Sequence, residues 1–132
     1  MSFLLDTDIC SAYLKGQGVV WNRFIQHTGG LHISSNVLGE LYTWLFRART
    51  SPKRLLSLNE MLTDVMVLDV TADVGKKFGE VRAGLLDRGL PAPDMDLFTA
   101  ATALVHDLTL VTHNTQDFAN VPDLRLADWL TP

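Results

Sequence analysis

Four acidic residues stand out by their positions along the chain: Asp6, Glu40, Asp96 and Asp117. Asp6 directly follows the apolar run Phe3-Leu4-Leu5, which reads as a buried strand ending in an acidic turn. Glu40 and Asp96 fall near the starts of two stretches with helical apolar spacing, and Asp117 lies in a loop or short turn after another strand-like run. Carboxylates gathered in one place repel, by roughly 4 kcal/mol per pair at about 4 Å and an effective dielectric near 20. A fold that collects four of them holds a cation or raises their pKa values. Oxygen donors suit magnesium or manganese. Two such ions about 4 Å apart can activate a water and stabilise the leaving oxygen of a phosphodiester. Taken singly, each acid has a plainer role. Asp6 can cap a helix, Glu40 can be a solvated helix residue, Asp96 can favour a helix dipole, and Asp117 can serve a turn. The joint pattern carries the metal reading.

The elements that must position these acids follow from periodicity. After the first strand, Thr7 or Asp8 is suited to cap a helix that runs to about Leu14 and is broken by Gly16 and Gly18. A second amphipathic stretch covers 19–26 and ends at Gly29-Gly30. Residues 31–33 read as a second strand. Ser34, Ser35 and Asn36 offer caps for the next helix, which extends to about Arg49 with Val37, Leu41, Trp44 and Leu45 on one face. Glu40 lies about 100° around that helix from Leu41, at the edge of the apolar stripe. Pro52 suits the first turn of another helix. Residues 65–70 read as a third strand, with Thr71 capping a long helix that carries Val74, Phe78, Val81 and Leu85 and ends at Gly89. Residues 97–105 form an apolar, alanine-rich helix, 108–111 a fourth strand and 124–126 a weak fifth. Strands alternating with helices predict an α/β sandwich around a mainly parallel sheet. Ligands bind beyond the carboxyl ends of such strands. Asp6 after the first strand, and Thr112, Asn114 and Asp117 after the fourth, would gather at one edge.

The 132 residues suit a single domain spanning 1–132, 47% hydrophobic and 20% charged. One cysteine, Cys10, excludes an internal disulfide and a cysteine-rich zinc site, as expected of a protein of the reducing cytoplasm. No signal peptide or membrane span is read in the sequence. The net charge of −4 counts against simple electrostatic binding of a nucleic-acid duplex. It is compatible with a nuclease whose bound cations reverse the local charge.

Several blocks then resemble one family. Phe3-Leu4-Leu5-Asp6-Thr7-Asp8-Ile9 is similar to the opening strand of PIN domains, especially VapC-type toxins. Ile33-Ser34-Ser35 with Leu38-Gly39-Glu40-Leu41, then Asp96-Leu97-Phe98-Thr99-Ala100-Ala101, resemble the second and third blocks. Leu110-Val111-Thr112-His113-Asn114-Thr115-Gln116-Asp117-Phe118 resembles the fourth, and Val121-Pro122-Asp123-Leu124 with Asp128-Trp129 the ending. The resemblance spans nearly the whole chain in order. It implies a three-layer α/β/α fold and a magnesium- or manganese-dependent endoribonuclease that hydrolyses RNA with a metal-activated water. It implies a VapB-like antitoxin partner and a homodimer. It makes Asp6, Glu40 and Asp96 the metal-binding core, Asp117 a more variable fourth acid, and Thr112 and Asn114 residues that orient ligands or water. Two departures stand beside it. Position 8 is Asp where the family often has Asn, so Asp8 either adds charge to the site or caps its helix. Asp94 adds an acid two residues before Asp96, and capping is its expected role.

Other features have plainer readings. Arg47, Arg49, Lys53 and Arg54 form a basic cluster that could meet RNA phosphates or an acidic partner, or be a solvated face. Arg82 resembles an arginine common in VapC-like chains, and a surface ion pair accounts for it equally well. Trp21, Trp44, Trp129 and Phe46 read as core or interface packing rather than base-stacking groups. His113 reads as a surface residue or one just behind the site, and Cys10 as packed core. Two other functions fit parts of the sequence. Asp6-Thr7-Asp8 is also similar to the motif of haloacid-dehalogenase-like phosphatases, with Asp6 as nucleophile, but no lysine occurs between residues 88 and 132. A PIN module that only binds RNA or an antitoxin is the other.

Overall fold

Phe3-Leu4-Leu5 forms β1 (Phe3–Leu5) and is buried along its length, as the middle strand of a parallel sheet must be. In the computed structural model, which describes residues 1–47 and 52–131, β1 is flanked by β2 (Leu31–Ser34) and β4 (Thr109–Val111). The edges are β3 (Met66–Leu68) and β5 (Leu126–Ala127). The order is β3-β2-β1-β4-β5, and every pairing is parallel.

Helices cover both faces. On one side, α1 (Thr7–Leu14), α2 (Gly18–Gln26), α3 (Ser35–Arg47) and α4 (Pro52–Asp64) pack on Phe3, Leu5, Leu31, Ile33 and Val111. On the other, α5 (Ala72–Asp87) and α6 (Asp94–Val105) pack on Leu4 and Leu110. This is the expected three-layer α/β/α arrangement, with alternate β1 side chains feeding the two cores. Cys10 and Trp129 are buried in the first core. Among the described residues, no helix is long and apolar enough to cross a membrane.

Some expectations need correction. The fifth strand is Leu126–Ala127 rather than 124–126, because its partners are Leu110 and Val111. The alanine-rich helix starts at Asp94, ahead of residue 97. Trp21, Trp44 and Phe46 are not core: all three are exposed, Phe46 at 76%. Trp21 stacks on Tyr13 and donates its indole N–H to the Tyr13 carbonyl at 2.9 Å. Arg54 lies over the Trp44 ring, 4.8 Å from its centroid. Arg49 lies outside the described residues.

The topology also explains where a ligand can sit. From β1 the chain runs to β2 and β3 on one side, then crosses to β4 and β5 on the other. The order therefore reverses between β1 and β4, which opens a crevice at their carboxyl ends. Asp6 and Thr112 are the residues that follow those two strands.

Candidate functional site

Asp6 is held by the end of β1 and the start of α1. Its backbone N–H donates to the Val111 carbonyl at 2.9 Å, continuing the pairing with β4. Its extended backbone makes it the cap of α1, where Oδ1 accepts from Thr7 N–H at 2.9 Å. Asp6 thus takes the capping place expected of Thr7 or Asp8, because the helix begins one residue after the strand. Its other oxygen, Oδ2, accepts from the Thr112 hydroxyl at 2.9 Å. Only 8% of the residue is exposed. Burial, then the charge of Asp8, pushes its carboxyl up to about 6, against the pull of the Thr7 and Thr112 hydrogen bonds.

Thr112 is fully buried and organises the crevice. A hydroxyl has one proton to donate. Its oxygen is 2.9 Å from Asp6 and 3.4 Å from Asp8, so Asp6 is the favoured acceptor. The same oxygen accepts from Asn114 N–H at 3.1 Å. Asn114 enters through its backbone, and its carbonyl in turn accepts from Asp117 N–H at 3.0 Å.

Asp8 belongs to this assembly. Its Oδ1 accepts from Ile9 N–H at 2.8 Å, and its Oδ2 crosses to accept from His113 N–H at 2.9 Å. His113 reaches away with its ring, whose Nδ1 is 3.0 Å from Asp128 Oδ2. No local sequence signal marks the His113–Asp8 bond, since it is made by a backbone N–H.

Helices bring the remaining acids. Ser34 Oγ accepts from Val37 N–H at 3.3 Å and starts α3. Glu40 follows on its second turn, where Oε1 accepts from the Thr7 hydroxyl at 3.0 Å. Asp96 lies in the first turn of α6 and is half-buried. Burial, then the charges of Asp117, Glu40 and Asp8, holds its carboxyl above the usual range. Asp117 is exposed in a short 3-10 turn, Thr115–Phe118. Asp94 does not cap α6. It is the first helical residue after Pro93, and its Oδ1 is 3.3 Å from Arg82 Nε. Arg82 is thereby the surface ion-pair residue that one reading expected.

The sequence-identified acids therefore converge. Asp6 feels Asp8 and Asp96, and Asp96 feels Asp117, Glu40 and Asp8. Among the described residues, no three acidic or histidine side chains form a ready-made metal cage. An open set of carboxylates fits magnesium, which keeps several waters and takes one or two protein carboxylates. Such a set would suit an oxygen-seeking cation, which would relieve the crowding that lifts Asp6 and Asp96. Glu40 also borders an open depression of about 440 Å³ with Thr43, Trp44 and Arg47.

Known proteins resemble this chain over nearly its whole length. The PIN domain family matches residues 3–124. The tRNA(fMet)-specific endonuclease VapC of Shigella flexneri is 32% identical, with 98% of each chain covered. Ribonuclease VapC2 of Rickettsia felis is 30% identical, again over 98% of each. The DNA-bound VapBC crystal structure from Salmonella typhimurium superposes with a TM-score of 0.92 at 28% identity, covering 98% of both chains. A buried acid at the strand switch, a threonine behind it and this match over nearly the whole length lead to one conclusion: the chain belongs to the PIN-domain family, on its VapC-type branch.

Proposed function

We propose that this protein is a divalent-metal-dependent endoribonuclease and the toxin of a toxin–antitoxin pair. The observation that carries the reading is the convergence of Asp6, Asp8, Glu40, Asp96 and Asp117 at the crevice between β1 and β4, with Asp6 and Asp96 both raised by burial and by neighbouring acids. Its relatives are named as a tRNA(fMet)-specific endonuclease and a ribonuclease.

In this reading Asp6, Glu40, Asp96 and Asp117 hold magnesium or manganese. When bound, the metal supplies the positive charge that activates water and offsets the charge of the scissile phosphate. The chain's own residues prepare the place. Thr112 fixes one oxygen of Asp6, Thr7 steers Glu40, and the β4 loop is tied to α1 through Asp8. Arg47 and the Arg54–Trp44 pair, beside Glu40, suit the phosphate and base of an RNA strand. The phosphatase alternative is set aside, because the family match is to PIN domains.

The solved relatives include VapBC complexes, so the proposed partner is a VapB-like antitoxin. Exposed Trp21 and Ile25, four residues apart on one side of α2, offer a small apolar face suited to a partner helix. A homodimer is expected from the family, and light scattering tests it. The single cysteine supports a cytoplasmic site of action.

The deciding experiment is cleavage of RNA, beginning with initiator tRNA, in the presence of magnesium or manganese and again with a chelator. Metal-dependent cleavage that is lost in Asp6→Ala and Asp96→Ala supports the reading. Equal cleavage by those variants sinks the site assignment. A protein that binds neither metal at millimolar concentration would instead be a binding module.

A further inference from the structure

Asn36 stands on the first turn of α3, and Thr99 on the second turn of α6. The Asn36 amide Nδ2 donates to Thr99 Oγ1 at 2.8 Å and lies 3.3 Å from the Met95 carbonyl. The Thr99 hydroxyl itself donates to that carbonyl at 3.1 Å. A carbonyl oxygen only accepts, so the amide must face it with its NH₂. This leaves Asn36 Oδ1 buried and, among the described residues, without a hydrogen-bond partner. An orphaned buried carbonyl destabilises the fold, and an apolar side chain of similar size would avoid it. Packing alone therefore does not account for an asparagine here, and the exception calls for a reason.

The position supplies one. Asn36 precedes Glu40 by four residues, and Thr99 follows Asp96 by three, so each lies on the same helix face as its acid. The polar clasp thus joins α3 to α6 one turn away from both carboxylates. Neither Asn36 nor Thr99 hydrogen-bonds to an acid among the described residues, so any effect on them acts through the helices.

We infer that Asn36 is a positioning residue: through Thr99 and the Met95 carbonyl it sets α3 against α6 and so fixes the spacing of Glu40 and Asp96. The functional part of this inference rests on the metal-nuclease reading above; the geometric part rests on the clasp alone. Displacement of a reacting group by about 1 Å can cost on the order of 100-fold in rate. Loss of a supporting contact typically weakens metal binding or activity by about 10- to 100-fold.

The test compares Asn36→Leu, Thr99→Val and Thr99→Ser with the unaltered protein in three measurements: crystal structure and Tm without metal, manganese titration without RNA, and kcat and KM on RNA with manganese. Asn36→Leu and Thr99→Val should keep a Tm near that of the unaltered protein yet change the Glu40–Asp96 separation. They should weaken manganese binding by about 10-fold or more and lower kcat by a similar factor, with KM for RNA little changed. Thr99→Ser, which retains the hydroxyl, should keep the original affinity. An unchanged Glu40–Asp96 separation, or unchanged manganese affinity in a folded variant, overturns the inference. If Asn36→Leu does not fold, the two Thr99 variants decide the matter in the same way. If the unaltered protein binds no manganese, the metal reading fails, and the metal-free crystal structures alone judge the clasp: a shifted separation upholds it and an unchanged one overturns it.

Discussion

Asp6 and Asp117 are both acids that follow a strand of the central sheet, yet they are held in opposite ways. Asp6 is buried, has both carboxylate oxygens hydrogen-bonded and sits in continuous pairing with β4. Asp117 is exposed, and a backbone bond to the Asn114 carbonyl anchors its turn. Glu40 and Asp96 fall between these extremes: half-buried and carried by helices. The acidic centre is therefore graded. Its strand-borne side is preorganised by the sheet, and under the proposed function its outer side would adjust to an ion and a substrate.

The largest break in that comparison should come from Asp6→Ala. It is expected to lower kcat/KM for metal-dependent RNA cleavage by at least about 10³-fold, roughly 4 kcal/mol. Steady-state kinetics on a defined RNA would check it, and a loss no greater than that of Asp117→Ala would erase the proposed gradient.

Next is the pH dependence of metal-free stability. The Asp6 carboxyl is raised from 3.8 to about 6 in the fold, so the folded protein holds this proton more tightly than the unfolded chain. That stabilisation is fully present below pH 3.8 and is lost as pH rises through about 6. Its size is on the order of 3 kcal/mol. Thermal unfolding in chelator should show this decline, and Asp6→Asn should flatten it. A decline of equal size in Asp6→Asn would assign it to other groups.

Thr112→Val sharpens the comparison at one atom. It removes the donor to Asp6 Oδ2 and the acceptor of Asn114 N–H while nearly preserving volume. A fall of about 10- to 100-fold in manganese affinity or activity is expected, read by calorimetry and kinetics. Unimpaired binding would show that Asp6 needs no such support. The smallest effect should belong to Asp117→Asn, a loss of about 10-fold or less at saturating metal, because its exposed side chain is screened by water. A loss matching Asp6→Ala would place it in the inner set.

The layers and the places of the acids along the chain are legible in the sequence because those signals are local. Phe3-Leu4-Leu5 before Asp6, and the helical spacing of Val74, Phe78, Val81 and Leu85, are visible without knowing any partner. Residue type and spacing mislead where partners decide. The fifth strand sits where Leu110 and Val111 pair with it, a register that an apolar count does not contain. Asp94 meets Arg82 from another helix instead of capping its own. Asp8 binds a backbone N–H more than a hundred residues further along the chain, which residue type alone does not encode. Trp44 and Phe46 look like core in a list of residues, but α3 turns them outward.

Cys10, the one cysteine of the chain, is sealed in the first core on the helix that Asp6 caps. Its thiol is raised well above the usual range by burial and by the charges of Asp6 and Asp8. It is therefore a built-in clock for that helix. A thiol reagent can reach it only when the core around α1 opens, so the labelling rate counts openings of the core that seats Asp6 and Asp8. Any ligand that binds those acids in the closed form should slow the clock in proportion to its occupancy.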